Sequence, residues 1–232
     1  MNETDWLRSA DACLLLDHLF PQRGHDSTPE QPRQLRLYLA ALCRIAWKRL
    51  PPVCRATTEL AERIADGEMA DRDHRMQVMA IAEAMTTAHR KPELLARFTD
   101  QLHAFDVVVP AGTDRRYRES DWFSATWMAF LPHWADVPNF RIVPAADHRA
   151  DLVRCIFGNP FQVVPLLDDR HTTDPVRNYA QAMYAERNFA NMPILADALE
   201  EAECTDPAIL EHCREKADHA RGCWVVDLIR RG

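Results

Sequence analysis

The sequence predicts a mainly α-helical fold, an irregular multi-helix bundle, with a solenoid-like C-terminal half as an open alternative. Apolar side chains recur at spacings of three and four along much of the chain, which is the period of an α-helix. Glycine is scarce, with 6 among 232 residues, so tight hairpin turns are disfavoured. Many of the 15 prolines stand where a helix would begin or end. An apolar share of 47% with 27% charged residues is ordinary for a folded globular chain.

The N-terminal third contains the clearest helix. Residues 4–19 carry capping and apolar residues that predict one or two short helices before Pro21. In the stretch RQLRLYLAALCRIAWKRL, which starts at Arg33, apolar residues line one helical face and Arg and Lys line the other. A Pro–Pro pair then interrupts the chain, and Pro52 opens a helix that runs to Asp66.

The middle of the chain predicts helices on both sides of an irregular segment. We expect helices over 71–90 and from Pro92, and an aromatic-rich helix further on. Residues 107–109 predict a short strand or an extended linker, because β-branched residues favour extended backbone. We expect one domain spanning 1–232, with a soft division near 105–120.

The C-terminal half predicts short helices joined by tight connections. One ends at Gly158, and later ones begin at Asp174, Pro193 and Asp206, where a capping residue or a proline in the first turn marks the start. The segment CWVVDLIRR predicts a last helix. No strict repeat period is present, so the bundle is favoured over the solenoid.

Charge and composition limit the function classes. The formal net charge is −7 and Lys and Arg form no long run, so nucleic acid and anionic membranes are unfavourable partners. The opening MNETDW does not read as a secretory signal, and no window approaches the roughly 18 apolar residues of a membrane span. We therefore expect a cytoplasmic protein. The seven cysteines, an odd number and mostly beside apolar residues, are expected to be reduced thiols.

Several segments together resemble a family of uncharacterised bacterial proteins abundant in planctomycetes. They are TDWLRSAD, LRLYLAALCRIAW, IFGNPF, AQAMYAERNFANMPILADALEEAECTD and HARGCWVVDLI. The resemblance spans nearly the whole chain and is weakest over 68–144. It implies no established activity and no catalytic residues. Where the family pattern has two further cysteines this chain has Ala40 and Leu42, and where the pattern has a glycine this chain has Glu203.

The segment CTDPAILEHCREKADHARGCW holds the best candidates for metal ligands. Zinc needs about four Cys or His ligands that converge tetrahedrally. The candidate set is Cys204, Cys213, His219 and Cys223. Their spacing matches no compact zinc motif, and the adjacent His212 and Cys213 point about 100° apart on a helix. We therefore expect no cofactor, with zinc as the alternative, and interpret these cysteines as buried thiols.

His219 and Gly222 have a second interpretation, as a helical corner. If the helix that begins at Asp206 ends near Ala217, His219 can cap its last carbonyl groups. A positive φ at Gly222 would then turn Trp224 into the core.

Basic and aromatic residues alternate in one further segment, which supplies candidates for partner contact. They are Arg115, Arg116, Arg118, Trp122 and Trp127. Acidic neighbours dilute the charge, so a protein partner fits better than a phosphate backbone. Phosphate-binding loops, dinucleotide fingerprints and common catalytic motifs are absent from the sequence. The sequence therefore predicts a non-catalytic helical module that binds an unidentified protein; the alternative is a metal-binding protein or enzyme whose site is built from residues distant in sequence.

Overall fold

The computed structural model describes residues 1–20, 30–45, 47–49, 52–68, 107–108, 141–142, 146–163, 165 and 167–231. Over these residues the mainly α fold is confirmed. The α-helices are α1 (Glu3–Arg8), α2 (Ala12–Leu19), α3 (Glu30–Ile45), α4 (Pro52–Ala65), α5 (Ala146–Phe157), α6 (Asp174–Glu186), α7 (Met192–Glu201), α8 (Pro207–Arg214) and α9 (Trp224–Arg231). Short 3-10 turns occupy Trp47–Arg49 and Phe189–Asn191. Over the described residues of the C-terminal half, the structure does not show a solenoid.

Two short strands are the exception to the helical pattern. Strand β1 (Val107–Val108) pairs antiparallel with β2 (Arg141–Ile142), with Val107 opposite Ile142. Of the two interpretations of this segment, the short strand is therefore the one observed at Val107–Val108. The predicted helices over 71–90 and from Pro92, and the aromatic-rich helix, lie outside the described residues.

The chain divides into two compact units. One consists of Met1–Pro21 with Ala146–Gly232, and the other of Gln22–Ala145. The expectation of a single domain stays a prediction. In the described part of the chain, no helix is both long and apolar enough to cross a membrane.

In the Gln22–Ala145 unit, α3 and α4 pack through small and aliphatic side chains such as Leu37, Ala41 and Leu60. One charged pair lies inside this contact. Arg44 donates two hydrogen bonds to Glu62, from Nε to Oε1 at 2.9 Å and from Nη2 to Oε2 at 2.7 Å. The Glu62 side chain is only 3% exposed, so the guanidinium group replaces the water that its carboxylate has lost.

In the other unit, the N-terminal helices are fixed onto α5. A capping box at Asn2 starts α1, and Trp6 and Leu15 are fully buried. Arg154 of α5 donates from Nη1 to the backbone carbonyls of Trp6 and Ser9, at 3.0 and 2.9 Å. These bonds satisfy carbonyl groups near the end of α1 that the helix itself leaves unpaired.

Helices α6 to α9 and the end of α5 share one apolar core. Its members include Val176, Met183, Leu195, Leu199, Ile209, Cys213, Val225 and Ile229. The predicted starts are confirmed: Pro175, Pro193 and Pro207 stand in first turns, and Asp206 accepts hydrogen bonds from the amides of Ala208 and Ile209.

The described connections of this bundle use left-handed backbone at four places, which are Gly158, Arg187, Glu203 and Gly222. Gly222 has φ +89°, which confirms the predicted turn before α9. Arg187 after α6 and Glu203 after α7 also have positive φ, at 56° and 63°. Glycine is the residue that adopts this conformation without strain, so both side chains occupy positions that favour glycine.

Candidate metal centre

Four side chains of the kinds that bind zinc converge beneath α8 and α9. They are Cys155, His212, His219 and Cys223, and their four ligand atoms all lie within 4.8 Å of one another. Cys155 comes from α5 and His212 from α8, whereas His219 and Cys223 lie on the connection between α8 and α9. Three separate segments of one unit therefore supply the group.

Three of the four side chains are buried, and His219 is partly buried. Cys155 is 1% exposed, Cys223 is 0% exposed, and His212 is 9% exposed. The His212 ring lies edge-on to His219, with ring centroids 4.9 Å apart, and tilted against Trp224 at 5.4 Å. The aromatic neighbours restrict ring rotation, so both imidazoles are held in place before any ligand arrives.

Each histidine contacts one cysteine. The Nε2 of His212 is 3.3 Å from the Sγ of Cys223, and the Nδ1 of His219 is 3.5 Å from the Sγ of Cys155. Cys155 and His219 are 64 residues apart in the chain, and His212 and Cys223 are 11 apart. Only the packing of α5 against the C-terminal helices brings Cys155 to the other three side chains.

One nitrogen of the group lacks a partner. The Nε2 of His219 is buried and makes no hydrogen bond to any residue that the structure describes. A buried polar atom without a partner costs free energy, because it has lost its water and gained nothing in exchange. The protein atoms described therefore leave this imidazole incompletely satisfied.

The two thiols differ in their acidity. Burial by itself would raise the pKa of Cys223, but the hydrogen bond from Cys155 and the hydrogen bonds and charge of His212 and His219 lower that pKa well below its ordinary value. Burial, together with the hydrogen bond to Cys223, raises the pKa of Cys155. Of the two thiols, Cys223 is therefore the more acidic. It also directly precedes α9, where the positive end of the helix dipole favours an anion.

His219 responds to the same thiolate. Burial would lower its pKa, but the hydrogen bond and the negative charge of Cys223 outweigh burial and raise it. An imidazole and a thiolate thus stabilise each other's charged forms. This pairing keeps negative charge on the sulfur, and a bound metal cation would take the place of the imidazole proton.

The structure brings together only two of the four predicted candidates. His219 and Cys223 belong to the group, and His219 contacts Cys155 through Nδ1. The expected role of His219 as a helix cap stays a prediction. Cys204 and Cys213 are buried in the same apolar core but do not belong to the group. Burial raises the pKa of Cys213, which is typical of an unreactive core thiol. The five cysteines whose side chains are described are all free.

Sequence reasoning missed Cys155 and His212. Cys155 stands alone on an apolar helix far from the other ligands, so no local spacing could identify it. The sequence did indicate that His212 and Cys213 cannot chelate together; in the structure the histidine faces the group and the cysteine faces the core. The partner candidates Arg115, Arg116, Arg118, Trp122 and Trp127 lie outside the described residues.

Comparisons with protein-family models, with curated proteins and with solved structures found no match to this chain.

Proposed function

We propose that this protein binds one zinc ion through Cys155, His212, His219 and Cys223, and that the ion has a structural role. The observation that carries the proposal is the convergence of two sulfur and two nitrogen ligand atoms within 4.8 Å in the interior. Sets of two cysteines and two histidines are typical of structural zinc sites.

The spacing of the atoms supports a tetrahedral ion. Zn–S bonds of about 2.3 Å and Zn–N bonds of about 2.0–2.1 Å, at a tetrahedral angle, separate sulfur and nitrogen by about 3.6 Å. The two closest sulfur–nitrogen separations are 3.3 and 3.5 Å. These two separations are within about 0.3 Å of the tetrahedral value, so each of the two pairs is compatible with sharing one ion.

The ligand set favours a structural over a catalytic role. Four protein ligands fill a tetrahedral zinc site and leave no position for water or substrate, whereas catalytic sites keep one position open. The ligands come from α5, α8 and the α8–α9 connection, so an ion bound by all four would cross-link distant segments of one unit. Such binding contributes to folding free energy because the unfolded chain lacks the site.

The protein-interaction module predicted from the sequence stays a prediction. Its candidate arginines and tryptophans are outside the described residues, so the contacts among the four zinc-ligand candidates do not test partner binding. Zinc binding and partner binding are compatible, since a structural ion leaves the protein surface unchanged.

Elemental analysis of protein purified without added metal tests the proposal. We expect about one zinc per wild-type chain, and less than about a tenth of that in Cys155→Ser and Cys223→Ser, because each loses a thiolate ligand. Cys213→Ala is the matched control. It removes a buried thiol on the same helix as His212 but outside the group, so it should keep its zinc.

A second measurement covers variants that lose structure. Metal-free wild-type protein titrated with Co²⁺ should show sulfur-to-cobalt charge-transfer absorption and the visible bands of a tetrahedral site. The proposal fails if wild-type protein contains no zinc and gives no such bands. It fails equally if Cys213→Ala loses as much metal as Cys223→Ser.

A further inference from the structure

His212 presents its two nitrogens to opposite surroundings. The Nε2 faces the Sγ of Cys223 at 3.3 Å, inside the metal centre. The Nδ1 faces away, and the nearest carboxylate oxygen is Oε2 of Glu215, 3.8 Å distant. Glu215 follows His212 by three residues, so both side chains lie on the same side of the chain at the end of α8.

We infer that Glu215 is the positioning residue of the zinc site: its carboxylate accepts the Nδ1–H of His212 and holds Nε2 toward the ion. This inference rests on the proposed zinc binding. Zinc-bound histidines usually donate their second ring N–H to a carboxylate or a carbonyl, which fixes the tautomer and the ring orientation. Here the residue that supplies this acceptor is outside the ligand set and on the surface.

The backbone at Glu215 explains why its side chain is available. Glu215 is the residue that ends α8, with extended backbone, and its amide donates to the carbonyl of Glu211. Its main chain is therefore fixed while its side chain, 58% exposed, remains able to rotate. Closing 3.8 Å to a hydrogen bond of about 2.8 Å needs only a small rotation of this side chain.

Among the described residues, His219 has no carboxylate within ion-pair distance of its ring nitrogens. The ring of His219 lies edge-on to the His212 ring and contacts the Sγ of Cys155 through Nδ1, and its Nε2 has no hydrogen-bond partner among the described residues. At His212 the carboxylate within ion-pair distance is that of Glu215, which lies outside the ligand set. Loss of that carboxylate should weaken zinc binding without removing a ligand.

The test compares Glu215→Gln with Glu211→Gln in the full-length protein. Both variants remove one negative charge from an exposed glutamate at the end of α8, but only Glu215 faces His212. We expect the dissociation constant for zinc, measured by competition with a chromophoric chelator, to rise about 10–100-fold in Glu215→Gln. In Glu211→Gln it should change by less than about twofold.

Two further readouts separate positioning from a general loss of structure. The unfolding midpoint of the metal-free protein should be the same in both variants, because the backbone bond at Glu215 is retained. In zinc-loaded protein, the Nδ1–H proton signal of His212 should be observable in the wild type and in Glu211→Gln, and should move or exchange faster in Glu215→Gln.

Every outcome of this comparison either supports or overturns the role of Glu215. Equal weakening in both variants would show a general charge effect and overturn the inference, as would unchanged affinity and an unchanged Nδ1–H signal in Glu215→Gln. If wild-type protein binds no zinc, the proposed function has failed instead, and that result is already distinguished by the elemental analysis.

Discussion

The α3–α4 pair and the metal centre both place polar side chains in the interior, but they satisfy them differently. Between α3 and α4, the buried carboxylate of Glu62 receives two hydrogen bonds from Arg44, so each charge has its counter-charge within the chain. In the other unit, Cys155, His212, His219 and Cys223 offer sulfur and nitrogen lone pairs, and the buried Nε2 of His219 has no partner among the described residues.

Under the proposed function, the difference predicts which of the two regions a metal cation would stabilise. A buried ion pair with complete geometry is self-sufficient, and a cation would compete with its arginine. A group of thiols and imidazoles gains most of its interaction energy when a cation joins it. We therefore expect metal removal to affect one region of the molecule and to leave the other unchanged.

The largest expected effect is that of zinc removal on the unit that contains the metal centre. At free zinc about 1,000 times the dissociation constant, binding would stabilise the folded state by about 4 kcal/mol. Chelation should therefore speed amide hydrogen exchange in α8 and α9 by up to about 1,000-fold. Exchange in α3 and α4 should not change. Equal acceleration in both regions would break the comparison, and Cys223→Ser should not respond to the chelator.

The next effect concerns the ion pair of α3 and α4. Arg44→Met leaves the buried Glu62 carboxylate without a counter-charge, and we expect about 3 kcal/mol lower free energy of unfolding. The double variant Arg44→Met/Glu62→Met should recover most of this loss, because an apolar pair needs no compensation. Urea denaturation checks both, and zinc content should stay at the wild-type level.

The control for this pair is Glu59→Gln. The Glu59 carboxylate also approaches Arg44, at 3.9 Å, but it is 54% exposed, so the loss should stay below about 0.5 kcal/mol. If the double variant were as unstable as Arg44→Met alone, the unpaired Glu62 carboxylate would not be the cause of the lost stability, and this prediction would be wrong.

A smaller effect on stability is expected from alanine substitution at two glycines with positive φ, and zinc binding distinguishes the two. Gly67 after α4 has φ +71°, and an added Cβ would meet no atom within 4 Å, while Gly222 precedes Cys223 with φ +89°. Alanine at either position should cost about 1–2 kcal/mol of stability through backbone strain. Only Gly222→Ala should also weaken zinc binding, since strain there displaces the Cys223 ligand. Equal zinc affinity in both variants would remove the link between this turn and the metal centre.

The smallest effect is a pH dependence at the surface of the metal-binding unit. Arg214 donates two hydrogen bonds to the Glu200 carboxylate, at 2.7 and 2.8 Å, and these bonds lower the pKa of Glu200. A lowered pKa in the folded state means that this contact stabilises above the unfolded value of about 4.3 and is lost as the pH falls through the folded value. The difference in urea midpoint between wild type and Glu200→Gln should therefore be greater at pH 7 than at pH 3. Glu201→Gln, an exposed neighbour, should show no such trend.

The sequence was sufficient for the helices of the described residues because their signals are local. Asp206 with Pro207 marks the start of α8, and apolar residues at helical spacing mark α3. Each depends on residues within one or two turns, so a cap or a proline acts wherever the chain folds. Gly222 belongs to the same class, because its positive φ is a property of one residue in one turn.

Half of the metal centre was predictable and half was not. His219 and Cys223 stand together in a segment rich in Cys and His, which composition alone indicates. Cys155 contributes through the packing of α5 against the C-terminal helices, and whether His212 or Cys213 turns toward it depends on how α8 is rotated in the core. The sequence by itself determined where the helices of the C-terminal half begin, because those signals act over a few residues, whereas α8 ends at Arg214 and not near Ala217 as expected. Only the tertiary structure decided which thiols and imidazoles meet, because a tetrahedral site requires convergence in space that spacing along the chain does not record.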